Sequence, residues 1–291
     1  MKKIILFAFL FFTLFSVSAQ SEKVFSFGLV EELESKELEE KRTLNIYLPQ
    51  GYHPDSVTTY PVIYVLDGSQ YEDFPHIAGL VQFMNMYDIL PKSIVVGISN
   101  LDKSRYRDFT YPSSDERDIK DLPTSGGSEK FINYLENEVI PLINRNYKTN
   151  THKTIIGQSL GGLLATEILF KKPYLFDDYV IVSPSLWWDN QKMIKNADDF
   201  LANLSKNIEL QNKTNSTYKK QIFVSLGKEH PVMHKVADKL VGAIKKLEAT
   251  KNGNIALFYS PILEQNHATI LHLAVYKAFE NFYKKEDNKE K

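Results

Sequence analysis

The sequence predicts an α/β fold in which a mostly parallel central sheet is flanked by helices. Short runs of Val, Ile and Leu recur along the chain, and such near-continuous apolar strands are typical of a sheet buried on both faces. Segments with apolar residues at helical spacing alternate with these runs, which indicates βαβ units with right-handed crossovers.

Seven segments are predicted strands, because each is short, apolar and bounded by polar or turn-forming residues. They are 44–48, 61–68, 93–99, 153–157, 179–185, 221–227 and 255–259. Four segments have helical periodicity. They are 131–147, 160–170, 232–247 and 268–283. Pro141 should bend the first helix. The polar, asparagine-rich stretch 187–220 is weakly helical, and we expect it to form a lid or a surface excursion.

The first residues have the pattern of a secretory signal peptide. Two lysines precede an apolar run at 4–15, and Val17-Ser18-Ala19 gives small residues at the cleavage site. The sequence therefore predicts a signal peptide at 1–19 and a single exported domain at 20–291, periplasmic or secreted. An uncleaved membrane anchor is the alternative, although the run is shorter than the ~20 residues of a spanning helix.

The composition excludes several classes of protein. Lys and Arg number 35 and Asp and Glu number 36, so no basic field is available for nucleic acid or for an anionic membrane. The chain contains no cysteine, which excludes disulfides and a lipid anchor on cysteine. We therefore expect a small-molecule partner, no nucleic acid and no membrane contact after signal cleavage. The composition does not indicate the oligomeric state.

The segment TIIGQSLGGLLA at 154–165 places a Gly-x-Ser-x-Gly turn between a predicted strand and a predicted helix. Such a turn exposes a serine hydroxyl, and its crowded backbone needs small residues on both sides, here Gly157 and Gly161. Ser159 is therefore a candidate nucleophile, and the amide of Leu160 at the helix start is a candidate oxyanion donor. The alternative is a simple glycine-rich turn.

The chain order nucleophile, acid, base directs the search for partners downstream of Ser159. His267 in LEQNHATILHL is the candidate base, and Glu229, just after the 221–227 strand, is the candidate acid. Asp238 is a second candidate acid, inside the following helix. The alternatives are that His267 is an ordinary loop histidine and that Glu229 is a solvated glutamate at a helix start.

The loop after the 61–68 strand should supply the second oxyanion donor. Gly68 allows close approach of the backbone, so the amide of Ser69 or Gln70 is a candidate.

No metal or cofactor is expected, because Pro231 places His230 before the helix that carries His234.

Four residues are candidates for substrate binding. Trp187 and Trp188 follow the 179–185 strand, and two adjacent tryptophans do not easily face one core, so at least one is expected to line the cleft. Arg107 and Tyr111 lie in the loop after the 93–99 strand, on the edge where active sites form. The same loop also carries Arg105 and Tyr106. Arginine beside aromatic rings suits an anionic aryl group, and a loop ion pair with Asp108 or Asp115 is the alternative.

Several stretches together resemble the esterase family of α/β hydrolases. They are YVLDG at 64–68, RDFTYP at 107–112, SGGSEKF at 125–131, GQSLGG at 157–162 and SPSLWWDN at 183–190. The resemblance covers most of 24–285 and is greatest to periplasmic esterases of trilactone siderophores, with feruloyl esterases and formylglutathione hydrolases as further relatives. It implies the α/β-hydrolase fold, a nucleophile at Ser159, a base at His267 and an oxyanion role near Gly68 and Leu160. Some siderophore esterases use a Ser–His pair, so the resemblance leaves the acid open.

The sequence thus predicts an exported serine carboxylic-ester hydrolase that acts through an acyl-enzyme, with siderophore-type esters as the first choice of substrate. A feruloyl or acetyl polysaccharide esterase, an acyltransferase and a catalytically inactive hydrolase-fold binding protein are the alternatives.

Overall fold

The computed structural model describes residues 25–100, 104–215, 218–250 and 254–284 of the 291. The predicted signal peptide at 1–19 therefore lies outside the described residues. One eight-stranded sheet runs through this part of the chain in the order β1-β2-β4-β3-β5-β6-β7-β8. β1 and β2 are antiparallel, as are β2 and β4, and the remaining neighbours are parallel. The predicted α/β fold with a mostly parallel sheet is confirmed.

All seven predicted strands are present, and one further strand precedes them. The strands are β1 Leu29–Ser35, β2 Glu40–Tyr47, β3 Tyr60–Leu66, β4 Ile94–Ile98, β5 Thr149–Gln158, β6 Asp178–Val182, β7 Lys220–Ser225 and β8 Ile255–Tyr259. The sequence of β1, LVEELES, gives little apolar signal because this strand lies at the sheet edge and most of its side chains face solvent.

Helices cover both faces of the sheet. They are α1 Phe74–Met86, α2 Arg105–Asp108, α3 Glu116–Asp121, α4 Ser128–Tyr134, α5 Ile140–Asn146, α6 Leu160–Lys171, α7 Trp188–Lys195, α8 Ala197–Thr214, α9 Pro231–Thr250 and α10 Ile270–Phe282. A π-helical turn at Leu135–Val139 joins α4 to α5 just before Pro141. Because proline has no amide and crowds the preceding turn, the predicted irregularity at this residue is confirmed. No helix of the described ranges is long and apolar enough to cross a bilayer.

Strands β2 to β8 supply side chains to two separate cores. Along β3, Tyr64 belongs to the core under α6, whereas Ile63 and Val65 belong to the core under α1 and α10. This division follows from the strand geometry, in which successive side chains point to opposite faces. The sheet is buried on both faces, as its apolar strands predict.

The expectation for residues 187–220 was wrong, because this stretch is an integral part of one helical layer. α8 packs against α6 and α9, and it buries Leu201, Leu204 and Ile208. These three residues recur at helical spacing, but the polar residues between them conceal the pattern in the sequence.

Candidate active site

Ser159 is the residue between β5 and α6, and its backbone is strained, with φ 58° and ψ −117°. Side chains other than glycine rarely adopt such a conformation, which costs about 1–3 kcal/mol. Its amide donates to the carbonyl of Val182 at 3.0 Å, and its carbonyl accepts from the amide of Ser185 at 3.0 Å. A Cβ atom on Gly157 would lie 2.3 Å from the carbonyl oxygen of Gly161. The turn is therefore fixed from two sides and needs glycine at 157.

The loops after β7 and β8 bring Glu229 and His267 together. The Nδ1 atom of His267 lies 3.0 and 3.1 Å from the two carboxylate oxygens of Glu229. The Glu229 side chain is only 5% exposed, and it also accepts a hydrogen bond from Ser183 Oγ at 2.6 Å. The amide of Lys228 donates to the carbonyl of Gln265 at 2.6 Å, which joins the two loops. Two of the predicted site residues are thus in direct contact.

Ser159 and His267 line one cleft of about 290 Å³. Asp67, Asp73, Arg105, Gln158 and Ala268 complete its wall. The side-chain amide of Gln158 donates to the carbonyl of His267, which fixes the histidine backbone beside the serine. The Ser159 hydroxyl lies 3.3 Å from Ser185 Oγ and is not hydrogen-bonded to His267 in this conformation. Such catalytic contacts are often long in the absence of a substrate.

Asp238, the second candidate acid, was wrong. Its carboxylate accepts a hydrogen bond from the Tyr259 hydroxyl at 2.9 Å and does not contact His267. His272, in α10, stacks on His76 with the ring centres 3.5 Å apart.

The amides of Gly68 and Ser69 do not have the freedom that the oxyanion prediction assigned to them. The amide of Gly68 donates to the carbonyl of Ile98 at 2.8 Å, and that of Ser69 donates to the Glu72 carboxylate at 2.9 Å. A Cβ atom on Gly68 would lie 2.4 Å from Gly97 Cα. Glycine at 68 is therefore explained by the close packing of two loops, and both amides already have acceptors inside the protein.

Arg105 places a positive charge in the cleft. Its guanidinium forms two hydrogen bonds with Asp67, at 2.8 and 2.9 Å, and lies 3.5 Å from the carbonyl oxygen of Gln158. Burial opposes the charge, but the contact with Asp67 outweighs burial and raises the pKa of Arg105. Asp67 follows β3 and Arg105 follows β4. The carboxyl ends of these neighbouring parallel strands meet at one edge, so the sequence places the loop that carries Arg105 at the cleft but does not distinguish Arg105 from Arg107.

Arg107 is not among the residues that line the cleft with Ser159. It pairs with Glu40 at 2.6 Å and with Asp108 at 2.8 Å, and the buried Asp108 also binds Arg42. Substrate binding by Arg107 stays a prediction, which its two carboxylate partners do not favour. The alternative of a loop ion pair is correct for Asp108, because this buried carboxylate needs cationic partners.

The two tryptophans have different environments. Trp188 is fully buried, and its indole nitrogen donates to the carbonyl of Tyr111 at 2.8 Å. Tyr111 lines a separate cavity of about 200 Å³ with Lys171 at the far end of α6. Neither residue lines the cleft with Ser159. Trp187 is 38% exposed and packs edge-on against Trp188, so substrate binding by Trp187 stays a prediction.

Metal-ligating side chains are not clustered in the described parts of the chain. No group of three or more His, Asp or Glu side chains there could hold a metal ion.

Comparison with known proteins identifies the class. The family described as "Putative esterase" matches residues 35–254, which is most of the chain, and the chain therefore belongs to this esterase family.

Individual relatives agree with this assignment. The ferri-bacillibactin esterase BesA of Bacillus subtilis is 31% identical over 183 residues, which cover 58% of this chain and 62% of that protein. The match thus spans about three fifths of the relative's length.

Two solved structures share the fold. The BES protein from Bacillus cereus has a TM-score of 0.74 at 25% identity and covers 90% of this chain and 97% of that one. An IroE-like serine hydrolase from Shewanella oneidensis has a TM-score of 0.70 at 26% identity and covers 88% and 80%. The predicted resemblance to the esterase family is confirmed.

Proposed function

We propose that this chain is a serine carboxylic-ester hydrolase that forms an acyl-enzyme on Ser159. One observation carries the proposal: a strained serine at a strand–helix junction shares a cleft with His267, whose Nδ1 atom contacts the buried carboxylate of Glu229. A hydroxyl needs a base within reach and an exposed position to become a nucleophile. A glycine-rich turn with no catalytic role would not need the strain or the histidine.

In the proposed reaction, Ser159 Oγ attacks the ester carbonyl carbon while His267 Nε2 takes the hydroxyl proton. The carboxylate of Glu229 accepts a hydrogen bond from the Nδ1–H group of His267, which leaves Nε2 as the base, and its negative charge stabilises the imidazolium that forms. The histidine then gives the proton to the departing alkoxide. A water molecule, activated by the same nitrogen, attacks the acyl-enzyme and releases the acid.

We propose that the Leu160 amide and the Arg105 guanidinium stabilise the negative charge that develops on the carbonyl oxygen. The first residue of α6 presents its amide at the positive end of a helix dipole. The amides of Gly68 and Ser69 already have acceptors, and Gln70 lines a different cavity from Ser159. The fixed cation of Arg105 in the cleft with Ser159 is therefore the better candidate for the second donor. A positive charge held by Asp67 needs little reorganisation during the reaction.

Siderophore-type esters are our proposed substrates. The name of the similar Bacillus subtilis protein is that of a ferri-bacillibactin esterase, and a cation lies beside the candidate nucleophile. Arginine binds anionic oxygens on planar groups well, and such oxygens are present in catecholate siderophores.

Labelling with a fluorophosphonate followed by peptide mapping tests the mechanism. We expect modification of Ser159 alone and no modification of the Ser159→Ala variant, which should fold normally because the hydroxyl contributes little packing. Ser93→Ala is the control, since it removes a buried hydroxyl that donates only to the carbonyl of Pro91. Ester hydrolysis that persists in Ser159→Ala would disprove the assignment. Parallel assays with a ferric trilactone and with feruloyl-arabinose test the substrate class.

We also propose that the chain is exported and that residues 1–19 are removed, on the sequence pattern alone. The mature protein should begin at Gln20. N-terminal sequencing of the processed chain tests this, and a chain that retains residues 1–19 in the membrane fraction would contradict it.

A further inference from the structure

Ser183, immediately after β6, is a fully buried residue with no role in the reaction described above. Its hydroxyl donates a hydrogen bond of 2.6 Å to Glu229 Oε1. The same carboxylate oxygen lies 3.0 Å from His267 Nδ1. One oxygen of the candidate acid therefore has two partners, a serine hydroxyl on one side and the candidate base on the other.

The backbone of Ser183 is strained, with φ +41°. Glycine adopts this conformation without cost, whereas a residue with a Cβ atom does not. A serine at this position is consistent with a need for its hydroxyl rather than for backbone freedom. The amide of Ser183 donates to the carbonyl of Ser225 on β7 at 2.8 Å, so the neighbouring strand holds the strained backbone in place.

The segment that carries Ser183 also holds the nucleophile. The carbonyl of Val182 accepts from the Ser159 amide at 3.0 Å, and the amide of Ser185 donates to the Ser159 carbonyl at 3.0 Å. Three residues of the segment 182–185 thus bind the turn of the nucleophile and the carboxylate of the candidate acid. The relative position of these two groups depends on this segment.

We infer that Ser183 is a positioning residue of the hydrolytic site, whose hydroxyl holds the Glu229 carboxylate in the orientation that contacts His267. The inference rests on the proposed function. Glu229 lies in a short loop outside any helix or strand, so its side chain has no regular structure to orient it. A hydrogen bond to a charged group is strong enough to fix such a side chain.

The test compares Ser183→Gly and Ser183→Ala with the wild type. Both variants lose the hydroxyl, but glycine also removes the backbone strain, whereas alanine keeps it. We expect kcat for p-nitrophenyl acetate and the rate of fluorophosphonate labelling at Ser159 to fall by about tenfold in both variants, the lower end of what a hydrogen bond to a charged group contributes. KM should change little. The melting temperature of Ser183→Gly should exceed that of Ser183→Ala, because only glycine relieves the backbone strain.

A double-mutant cycle with Glu229→Gln separates positioning from a general effect on the fold. If Ser183 acts through the carboxylate, Ser183→Gly should cost less than about twofold in the Glu229→Gln background. Ser93→Ala is again the control, because its buried hydroxyl bonds only to a main-chain carbonyl and lies outside the cleft. Its rates should equal those of the wild type.

Two outcomes would overturn the inference. The first is rates within twofold of the wild type in both Ser183 variants, and the second is an equal loss with and without the Glu229 carboxylate. In either case Ser159 is still labelled and the proposed function stands. A wild-type protein that is not labelled at Ser159 would instead refute the proposed function, and the inference would fail with it.

Discussion

Replacement of Glu229 by glutamine is the most informative test of the proposed triad. The substitution keeps the shape of the side chain and removes its charge. In the structure both carboxylate oxygens lie within 3.1 Å of His267 Nδ1, and the carboxylate is almost fully buried. If His267 becomes an imidazolium in the transition state, the charge of Glu229 stabilises it.

The size of the effect follows from the contact distance and the exposure of the ring. Two unit charges about 4 Å apart attract by about 4 kcal/mol at an effective dielectric constant of ~20. The His267 side chain is 43% exposed, and water therefore screens part of this energy, which leaves roughly 2–3 kcal/mol. Since about 1.4 kcal/mol changes a rate tenfold, Glu229→Gln should lower kcat by about 10²-fold.

The assay is steady-state hydrolysis of p-nitrophenyl acetate. His267→Ala should cost much more than Glu229→Gln, because no base is left. Asp238→Asn is the control and should leave the rates unchanged, since Asp238 bonds only to the Tyr259 hydroxyl on the protein surface. A value of kcat/KM for Glu229→Gln within about twofold of the wild type, under ~0.4 kcal/mol, would refute the triad and leave a Ser–His pair.

Three further predictions concern the cleft and the core. Asp67→Asn and Arg105→Lys should each lower kcat by at least about tenfold while the protein stays folded, because a lysine cannot form the two hydrogen bonds that Arg105 makes with Asp67. Steady-state kinetics and circular dichroism check this. Full activity of both variants would exclude Arg105 from the reaction. Gly157→Ala should cost about 1–3 kcal/mol of unfolding free energy and most of the activity, because the new Cβ meets the carbonyl of Gly161; denaturant unfolding measures the loss, and an unchanged midpoint would contradict it. Burial lowers the pKa of Lys220 from 10.5 to about 8. In the folded protein the Lys220 side chain is therefore charged below about pH 8 and neutral above it, whereas in the unfolded chain it stays protonated up to about pH 10.5. The unfolding free energy of the wild type relative to Lys220→Met should therefore rise between pH 8 and 10, by at most about 1.4 kcal/mol per pH unit, and a constant difference in denaturant titrations would contradict this.

Most of the fold could be predicted because its signals are local. The apolar runs of β3 to β8 follow from burial of both sheet faces, and the helix periodicity of α6, α9 and α10 follows from the packing of one face of each helix. β1 and α8 were harder, since edge exposure and a polar helix surface conceal their patterns. β1 is stabilised by its hairpin pairing with β2, and α8 by its contacts with α6 and α9.

The same division applies to the candidate site. The turn at Ser159 could be predicted because its crowded backbone requires glycine at nearby positions. His267 and Glu229 could be predicted from the order of elements along the chain. The sequence could not predict which of Arg105 and Arg107 lies in the cleft, because the two arginines are two residues apart in one loop. Only the folded chain brings Asp67 to the first and Glu40 to the second.

The sequence by itself determined the α/β class, the family resemblance, and the turn and loops that carry the candidate nucleophile, acid and base, because each depends on residue types at fixed spacing. The tertiary structure decided which groups are free to act. In the folded chain the amides of Gly68 and Ser69 have acceptors within the protein, and Trp188 is buried. Arg105 lines the cleft, and Ser183 donates a hydrogen bond to Glu229. Except for the Ser69 amide, whose acceptor Glu72 is three residues away, these outcomes depend on hydrogen-bond partners tens of residues away in the chain. A partner at that separation leaves no periodic or local mark on the sequence.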